Sequence, residues 1–519
     1  MNQIGREQGL AEIRGFFKGS MKGKEMIVRF FCLGPTQSPF SILCMQITDS
    51  FYVAHSDDLL YRCAYEQFKT IGEYDDIFFV LHSAGRLENS ISADVDKRRI
   101  YIDYITNTVL SVNTQYAGNT VGFKKLALRL AIRKADFEGW LAEHEFIRNQ
   151  HGPNGRETIF LGAFPSACGK TSTAMAFGGT IIGDDLAYLK VINGVVRAVN
   201  VESGIFGIIR DVNKDDDPTI WSALNSPGEI IFSNVLINDG IPYWQGDGRE
   251  IPDKGLHFTG KWYKGKKNKK GNKIPHAHPN ARYTIQMSDL SNRDPKMDDP
   301  KGVPVDVIIY GGRDSDITVP VAQSLNWHHG VITMAASLES ETTSATIGQE
   351  GIRRFQPMSN LDFVSIPLCR YIKNHLNFVR NIENPPIIFG VNYFLKDENG
   401  DYRNGMEDKR VWLTWMELRI HNDISAIKTP IGFIPIYEDL NRLFREVLNR
   451  EYSREEYEKQ FTIRVPKLLA KINRIEIIYF GSLCVLPEEL TKELEEQEQR
   501  LLLAKAEHGD YITPWQLEN

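Results

Sequence analysis

The chain contains no C-x-x-C pair. Its six cysteines (Cys32, Cys44, Cys63, Cys168, Cys369 and Cys484) are scattered. That distribution fits reduced thiols in a cytosol and argues against both a disulfide framework and a cysteine zinc site. No window approaches the roughly 18 uninterrupted apolar residues of a membrane span. The opening stretch "MNQIGREQGLAEIRGFFKGS" has no apolar core of signal-peptide length. There is no large excess of one charge sign: the net charge is −6, so no global basic field points to nucleic acid. Internal repeats are also absent. The remaining composition, 42 % apolar and 25 % charged over 519 residues, is ordinary for a globular protein of two or three domains. A cytoplasmic enzyme without membrane or nucleic-acid partners is expected, as a monomer or small homo-oligomer.

Along the chain, "EMIVRFFCLG" (25–34), "FSILCMQIT" (40–48), "DIFFVLHSA" (76–84) and "RRIYIDYITNTVLSV" (99–112) read as strands. The three- and four-residue apolar spacing of 124–148 predicts a helix, with His144 at its end. "ETIFLGAF" reads as a buried strand, and residues 179–200 as a strand, a Gly-Asp-Asp turn and a hairpin. "IIFSNVLI", "PVDVIIYGG" and "GVITMAASL" read as further strands. Helices and loops dominate from about 352, ending in a charged amphipathic helix over 487–505. The one low-complexity segment, "KWYKGKKNKKGNK" (261–273), carries seven lysines and reads as a solvated loop.

The chemistry centres on "FLGAFPSACGKTSTAM" (160–175). It ends as phosphate-binding loops end, in Gly169-Lys170-Thr171. The usual glycine six positions before the lysine is missing, and Phe164 stands there. Such a loop curls consecutive backbone N–H groups around phosphate oxygens at a helix start. Ser166, Ala167 and Gly169 are small enough for that close approach. Lys170 supplies a mobile positive charge, and the Thr171 hydroxyl can take a divalent metal. Asp184 and Asp185, closing "GTIIGDD", are placed for carboxylate help to that metal; two adjacent aspartates also suit a turn or cap.

Taken in order, "PSACGKT", "AHPNAR" (277–282), "GGR" (311–313), "LNWHHGV" (325–331), "SETTSAT" (340–346) and "VNYFLKDENGDY" (391–402) resemble the GTP-dependent phosphoenolpyruvate carboxykinase family. The resemblance implies an α/β fold: an N-terminal mixed, substrate-side domain over 1–140 and a C-terminal phosphate-loop domain with mixed sheets over 141–519, with a mobile lid near 338–350. It implies Mn²⁺ and/or Mg²⁺ as metal and GTP, or ATP, as phosphate donor. By matching position, Lys125, His144 and Asp185 look like ligands of one metal, and Asp184 with Thr171 like ligands of the nucleotide's metal. Lys170 and Arg313 would neutralise the β- and γ-phosphates, backed by the loop residues Ser166 to Ser172. Lys124 would sit by the transferred phosphoryl group, and Cys168 falls within the catalytic loop. Tyr116, Gly118, Asn280 and Arg282 look like residues facing the small substrate. Phe394, Tyr402 and Asp408, with Met406, look like the base pocket.

The resemblance also has departures. The base pocket replaces two phenylalanines and an asparagine with Tyr402, Met406 and Asp408. Glu339 stands where the family has an arginine. The family's N-terminal roughly 100 residues, with an arginine that clamps the substrate carboxylate, find no counterpart. Three readings follow: a nucleotide-dependent kinase of a different small acceptor (a hydroxyl of an amino acid, polyol or hydroxy acid), a shortened carboxykinase acting on oxaloacetate, and a nucleotide-binding protein without turnover.

Overall fold

The computed structural model of the chain describes residues 3–72, 76–88, 91–115, 123–342 and 351–518. The chain forms two compact units, each discontinuous in sequence. Among the described residues no helix is long and apolar enough to cross a membrane.

The first unit joins Met1–Ala127 to Val201–Arg293. Its six-stranded mixed sheet runs in the order Arg62–Cys63, Ile27–Leu33, Ile42–Thr48, Phe78–Ser83, Thr108–Val112, Arg99–Asp103. The third to fifth of these are parallel to one another. Phe31, Phe78 and Val109 are fully buried within it. The helix Arg6–Phe17 covers part of this sheet through the buried Ile13, which packs with Leu110 and Val112. Arg6 is held there by a two-armed bond to Asp103, at 3.0 and 2.8 Å. The 201–293 insertion adds a three-stranded sheet with Arg282–Gln286 at its centre, and a four-stranded antiparallel sheet. The lysine-rich segment continues the last strand of that second sheet, Gly260–Tyr263, into an exposed hairpin closed by a Lys267–Lys273 bridge.

The second unit joins Leu128–Asn200 to Asp294–Asn519. Its main sheet has eight strands in the order Gly179–Gly183, Glu145–His151, Glu157–Ala163, Val307–Gly311, Ile387–Val391, Val321–Gln323, Gly432–Ile434, Ile427–Thr429. The central three are parallel. Their sequences, ETIFLGA, VIIYG and IIFGV, are near-continuous apolar runs, as strands covered on both faces require. Loops at the carboxyl ends of such parallel strands are the usual ligand-binding position in open α/β sheets.

Two expected elements are corrected. Residues 124–148 are not one helix. The helix Phe123–Glu138 ends at Gly139, whose φ of 76° is the left-handed conformation that glycine adopts at helix ends. Leu141–Glu143 and Glu145–His151 are strands, so His144 lies between two strands rather than at a helix end. "GVITMAASL" is not a strand: Gly330–Ala336 is a π-helix continuing from the short helix Trp327–His329. Asn326 starts that helix by accepting from the His329 N–H at 2.9 Å. A short uncharged apolar run does not distinguish a buried helix from a buried strand. Gly330 adds a packing reason, since a side chain there would collide with Ile388.

The expectation of six reduced thiols is also corrected. Cys369, in the helix Leu368–Phe378, is joined in a disulfide to Cys484, which follows the helix Val465–Phe480; their Cα atoms are 6.2 Å apart. The partners are 115 residues apart, so no local spacing announces the pair. Cys32, Cys44, Cys63 and Cys168 are free. A crosslink over so long a segment restricts the unfolded chain and stabilises by about 2–4 kcal/mol. Thiol titration of the denatured, unreduced protein should therefore find four thiols, and dithiothreitol or Cys484→Ser should lower the thermal unfolding midpoint. Six titratable thiols without reductant would overturn the pairing.

Candidate active site

The phosphate loop leaves the central strand Glu157–Ala163 and enters the five-residue helix Lys170–Ala174. Phe164 is 1 % exposed. Its ring stacks with Phe146 at 6.1 Å and Tyr393 at 5.9 Å. Two glycines make room for this aromatic layer. A Cβ on Gly311, at the end of the neighbouring parallel strand, would fall about 2.1 Å from the Phe164 ring, and one on Gly162 about 2.4 Å from Phe146. Phe164 thus anchors the start of the loop by burial, where the common pattern has glycine. Beyond it the backbone turns inward: Ala167 has φ of 58° and Gly169 has φ of 101°. Alternating left- and right-handed residues gather N–H groups into an anion-binding concavity. Ser166 and Ala167 are exposed at its rim. Cys168 faces inward, 3.4 Å from Ser340 Oγ. Burial pushes its thiol pKa up.

Lys170 Nζ donates to His144 Nε2 at 2.8 Å and also binds the Asp185 carboxylate. His144 Nε2 lies 2.9 Å from Asp185 Oδ1. Lysine, imidazole and carboxylate therefore converge on one point beside the loop. Asp184 Oδ1 is buried without a hydrogen-bond partner, and Thr171 Oγ1 makes no hydrogen bond among the described residues. An unpartnered buried carboxylate oxygen is costly unless a cation takes it up. Hard oxygen donors together with one imidazole suit a divalent metal. These residues fit a divalent metal.

Arg313 follows Gly311 and Gly312 from the adjacent parallel strand. Its guanidinium donates to Ala167 O at 3.2 Å and to the Tyr402 hydroxyl at 2.9 Å, and lies 3.8 Å from the Phe394 ring centroid. Its backbone N–H donates to Ser340 Oγ at 3.1 Å. The loop, the aromatics Phe394 and Tyr402 and the segment before 342 thus meet on one residue. Asp408 is 2 % exposed, accepting from Gly405 N–H at 2.8 Å and Arg450 at 3.2 Å. It is committed locally, while Met406 is exposed. Glu339 brings no uncompensated charge, because Arg474 grips both its oxygens at 3.0 and 2.7 Å. The strands Glu339–Glu341 and Arg353–Phe355 pair as a stem. The rest of the expected lid, 343–350, lies outside the described residues.

Three supports were given no role from the sequence, although Tyr393 lies within "VNYFLKDENGDY". Tyr393 backs the loop and would touch a side chain at Gly169. Arg148 is fully buried and donates to Thr173 O at 2.5 Å, with burial pulling its pKa down to about 10; its signal was an arginine inside the apolar strand "EFIRNQH". Next to His144 in sequence, Glu143 is held by Tyr371, by Asn360 at 3.3 Å and by His375 at 3.1 Å.

In the first unit, Lys124 opens the helix Phe123–Glu138. It is 2 % exposed, with Nζ 3.2 Å from Glu202 Oε1. Lys125 follows it, half-buried. Arg282 donates twice to Asn280 Oδ1, at 3.1 and 2.7 Å, and its guanidinium sits 5.4 Å from the Phe206 ring centroid. Lys124, Lys125, Asn280 and Arg282 belong to this unit, and His144, Lys170, Thr171, Asp184, Asp185 and Arg313 to the other. Tyr116 and Gly118 lie outside the described residues.

Residues 1–136 match the family described as the phosphoenolpyruvate carboxykinase N-terminal domain, and residues 140–500 the phosphoenolpyruvate carboxykinase C-terminal P-loop domain. Proteins named phosphoenolpyruvate carboxykinase (GTP) are similar throughout. The one from Pyrococcus horikoshii is 57 % identical over 100 % of this chain and 83 % of its own length. That from Saccharolobus solfataricus is 48 % identical over 100 % and 83 %, and that from Chlamydia abortus 34 % over 96 % and 83 %. The match over 1–136 shows that the family's N-terminal domain is represented in this chain, and the chain spans 83 % of the length of these relatives.

The packing makes a direct prediction. Phe164→Gly, which restores the common loop pattern, should lower stability by about 3–5 kcal/mol, as large-to-small changes of a buried phenylalanine do, instead of improving nucleotide binding. Ala167→Gly should be tolerated, and Ala167→Val, a branched residue at positive φ, should weaken GTP binding. Thermal unfolding and fluorescence titration check both. A Phe164→Gly protein of unchanged midpoint would overturn the anchoring role.

Proposed function

The chain belongs to the phosphoenolpyruvate carboxykinase family, and we propose that it converts oxaloacetate and GTP to phosphoenolpyruvate, CO₂ and GDP. The observation that carries this is the likeness to carboxykinases across both units, with the phosphate loop and its cations intact within it. The runner-up, a kinase of another small acceptor, has no separate observation in its favour.

The reaction has two parts. Oxaloacetate loses CO₂, leaving electrons on the enolate of pyruvate; the enolate oxygen then attacks the γ-phosphorus as the bond to the GDP oxygen breaks. Charge is concentrated at the transferring phosphoryl group, so catalysis is mostly positioning and charge stabilisation. The loop over Ser166 to Thr171 holds the phosphates. Lys170, released from Asp185 and His144, and Arg313, released from Ala167 O, turn their charges onto them. Phe394 and Tyr402 receive the base, with GTP as donor. Arg282, oriented by Asn280, binds a substrate carboxylate, and Lys124 meets the enolate or the phosphoryl group. His144 and Asp185 would hold a divalent metal beside the loop, and Thr171 and Asp184 a second, each of which would supply further charge stabilisation. The 338–350 segment acts as the lid that keeps water from the enolate.

The test mixes protein, Mn²⁺, GTP and oxaloacetate and measures phosphoenolpyruvate and CO₂. Robust formation of both is expected. Lys170→Ala should lower kcat by about 10²-fold or more, the effect of losing one preorganised charge donor, with the thermal midpoint little changed. Transfer of the GTP γ-phosphate to an added hydroxyl compound, with no phosphoenolpyruvate formed from oxaloacetate, would favour the kinase of another acceptor.

A further inference from the structure

A further concave space lies within the unit that carries the phosphate loop; Leu338 and Glu339 in its wall begin the segment taken above as a lid, and its other walls are assigned no role above. It is a cavity of about 110 Å³ between the π-helix Gly330–Ala336, the ends of the strands Val307–Gly311 and Ile387–Val391, and the helices Val465–Phe480 and Glu488–His508. Met334, Leu338, Leu468 and Ile475 are typical of its walls, which are mostly aliphatic. An apolar cavity of this order accepts a molecule about the size of benzene.

Two polar groups in the lining lack partners. Ser337 is 5 % exposed, and its Oγ has no hydrogen bond. Lys471 lines the same space and makes no hydrogen bond or ion pair among the described residues. The two carboxylates in the wall are already taken: Asp314 by Arg353 at 3.0 Å, and Glu339 by Arg474. Burial pulls the Lys471 pKa down, while Glu339 and Asp314 act against that. An ammonium group has three donors and no acceptor, and a buried charge without a bonded partner is costly. The missing component is therefore an anionic acceptor carried on a small apolar body. A dianion such as phosphate would meet one free cation, two carboxylates and an aliphatic wall. A single carboxylate meets the cation and the serine hydroxyl, and its chain meets the leucines and isoleucines.

We infer that this cavity binds a short aliphatic monocarboxylate, with the carboxylate on Lys471 and Ser337 and the chain against Met334, Leu338, Leu468 and Ile475. The site is separate from the loop that receives the nucleotide, and its ligand class differs from both nucleotide and dicarboxylate.

Fluorine NMR of the full chain tests this, with 4,4,4-trifluorobutyrate as probe and 4,4,4-trifluorobutanol as its neutral counterpart, in the presence of saturating GTP to keep the nucleotide site filled. The acid should bind wild-type protein saturably with Kd at or below about 1 mM, a reasonable affinity for so few atoms, and at least tenfold tighter than the alcohol. Lys471→Met should abolish that preference. Leu468→Trp, which fills the space, should abolish binding of both. The acid–alcohol comparison on wild-type protein needs no variant to fold. Absence of saturable acid binding, equal binding of acid and alcohol, or acid binding unchanged by Leu468→Trp or Lys471→Met would each overturn the inference.

Discussion

The phosphate loop rests on one packing constraint: an aromatic ring occupies space that two glycines leave open. Phe164 lies between Phe146 and Tyr393, over Gly311. Burying a phenylalanine ring contributes substantially to stability, and here it also sets where the loop backbone begins to turn. The strand that supplies Gly311 continues directly into Gly312 and Arg313. The residue that anchors the loop and the cation that reaches its carbonyl are therefore positioned by the same pair of parallel strands. Tyr393 extends the arrangement, stacking with Phe164 on one side and crowding a side chain at Gly169 on the other. Loop shape, arginine placement and aromatic layer are one packing problem.

Electrostatics follow a similar economy. The charges in and near the site are shared among few partners: Lys170 with His144 and Asp185, Arg313 with Ala167 and Tyr402, Arg353 with Asp314, Asp316 and Glu341. Charged groups at low exposure are tolerable only when bonded, so cations destined for phosphates need interim acceptors. For Lys170 the acceptors are His144 and Asp185, groups that suit a metal. Nucleotide and metal binding would then exchange partners within a fixed set rather than create new charges in a dry site.

Much of this was legible in the sequence. "ETIFLGAF" and "PVDVIIYGG" declared the central parallel strands by their unbroken apolar runs, and "CGKT" placed the lysine and the loop end. Asp184 and Asp185 were readable because a strand halts there at a glycine. The reason Phe164 fits was not legible, since it depends on Gly311, almost 150 positions later. His144 was misplaced because apolar spacing continues past Gly139 and hides the change from helix to strand. The π-helix at 330–336 resembled a strand because it carries no charge to mark a face. The interleaving of 201–293 with the first unit left no trace in local pattern, because tertiary contacts alone decide which sheet a short strand joins. Arg148 and Tyr393 act through burial, which composition does not report.

The crosslink between Cys369 and Cys484 encloses more than it joins. Within that covalent loop lie three strands of the main sheet, Ile387–Val391, Ile427–Thr429 and Gly432–Ile434, together with Phe394, Tyr402, Asp408 and Lys471. A single backbone cut anywhere inside it leaves two pieces that stay attached and keep their shared packing. Exposed positions such as Met406 thus become sites where the chain can be nicked without coming apart. Persistence of the Phe394–Tyr402 contact after such a cut then depends on the redox state of Cys369 and Cys484.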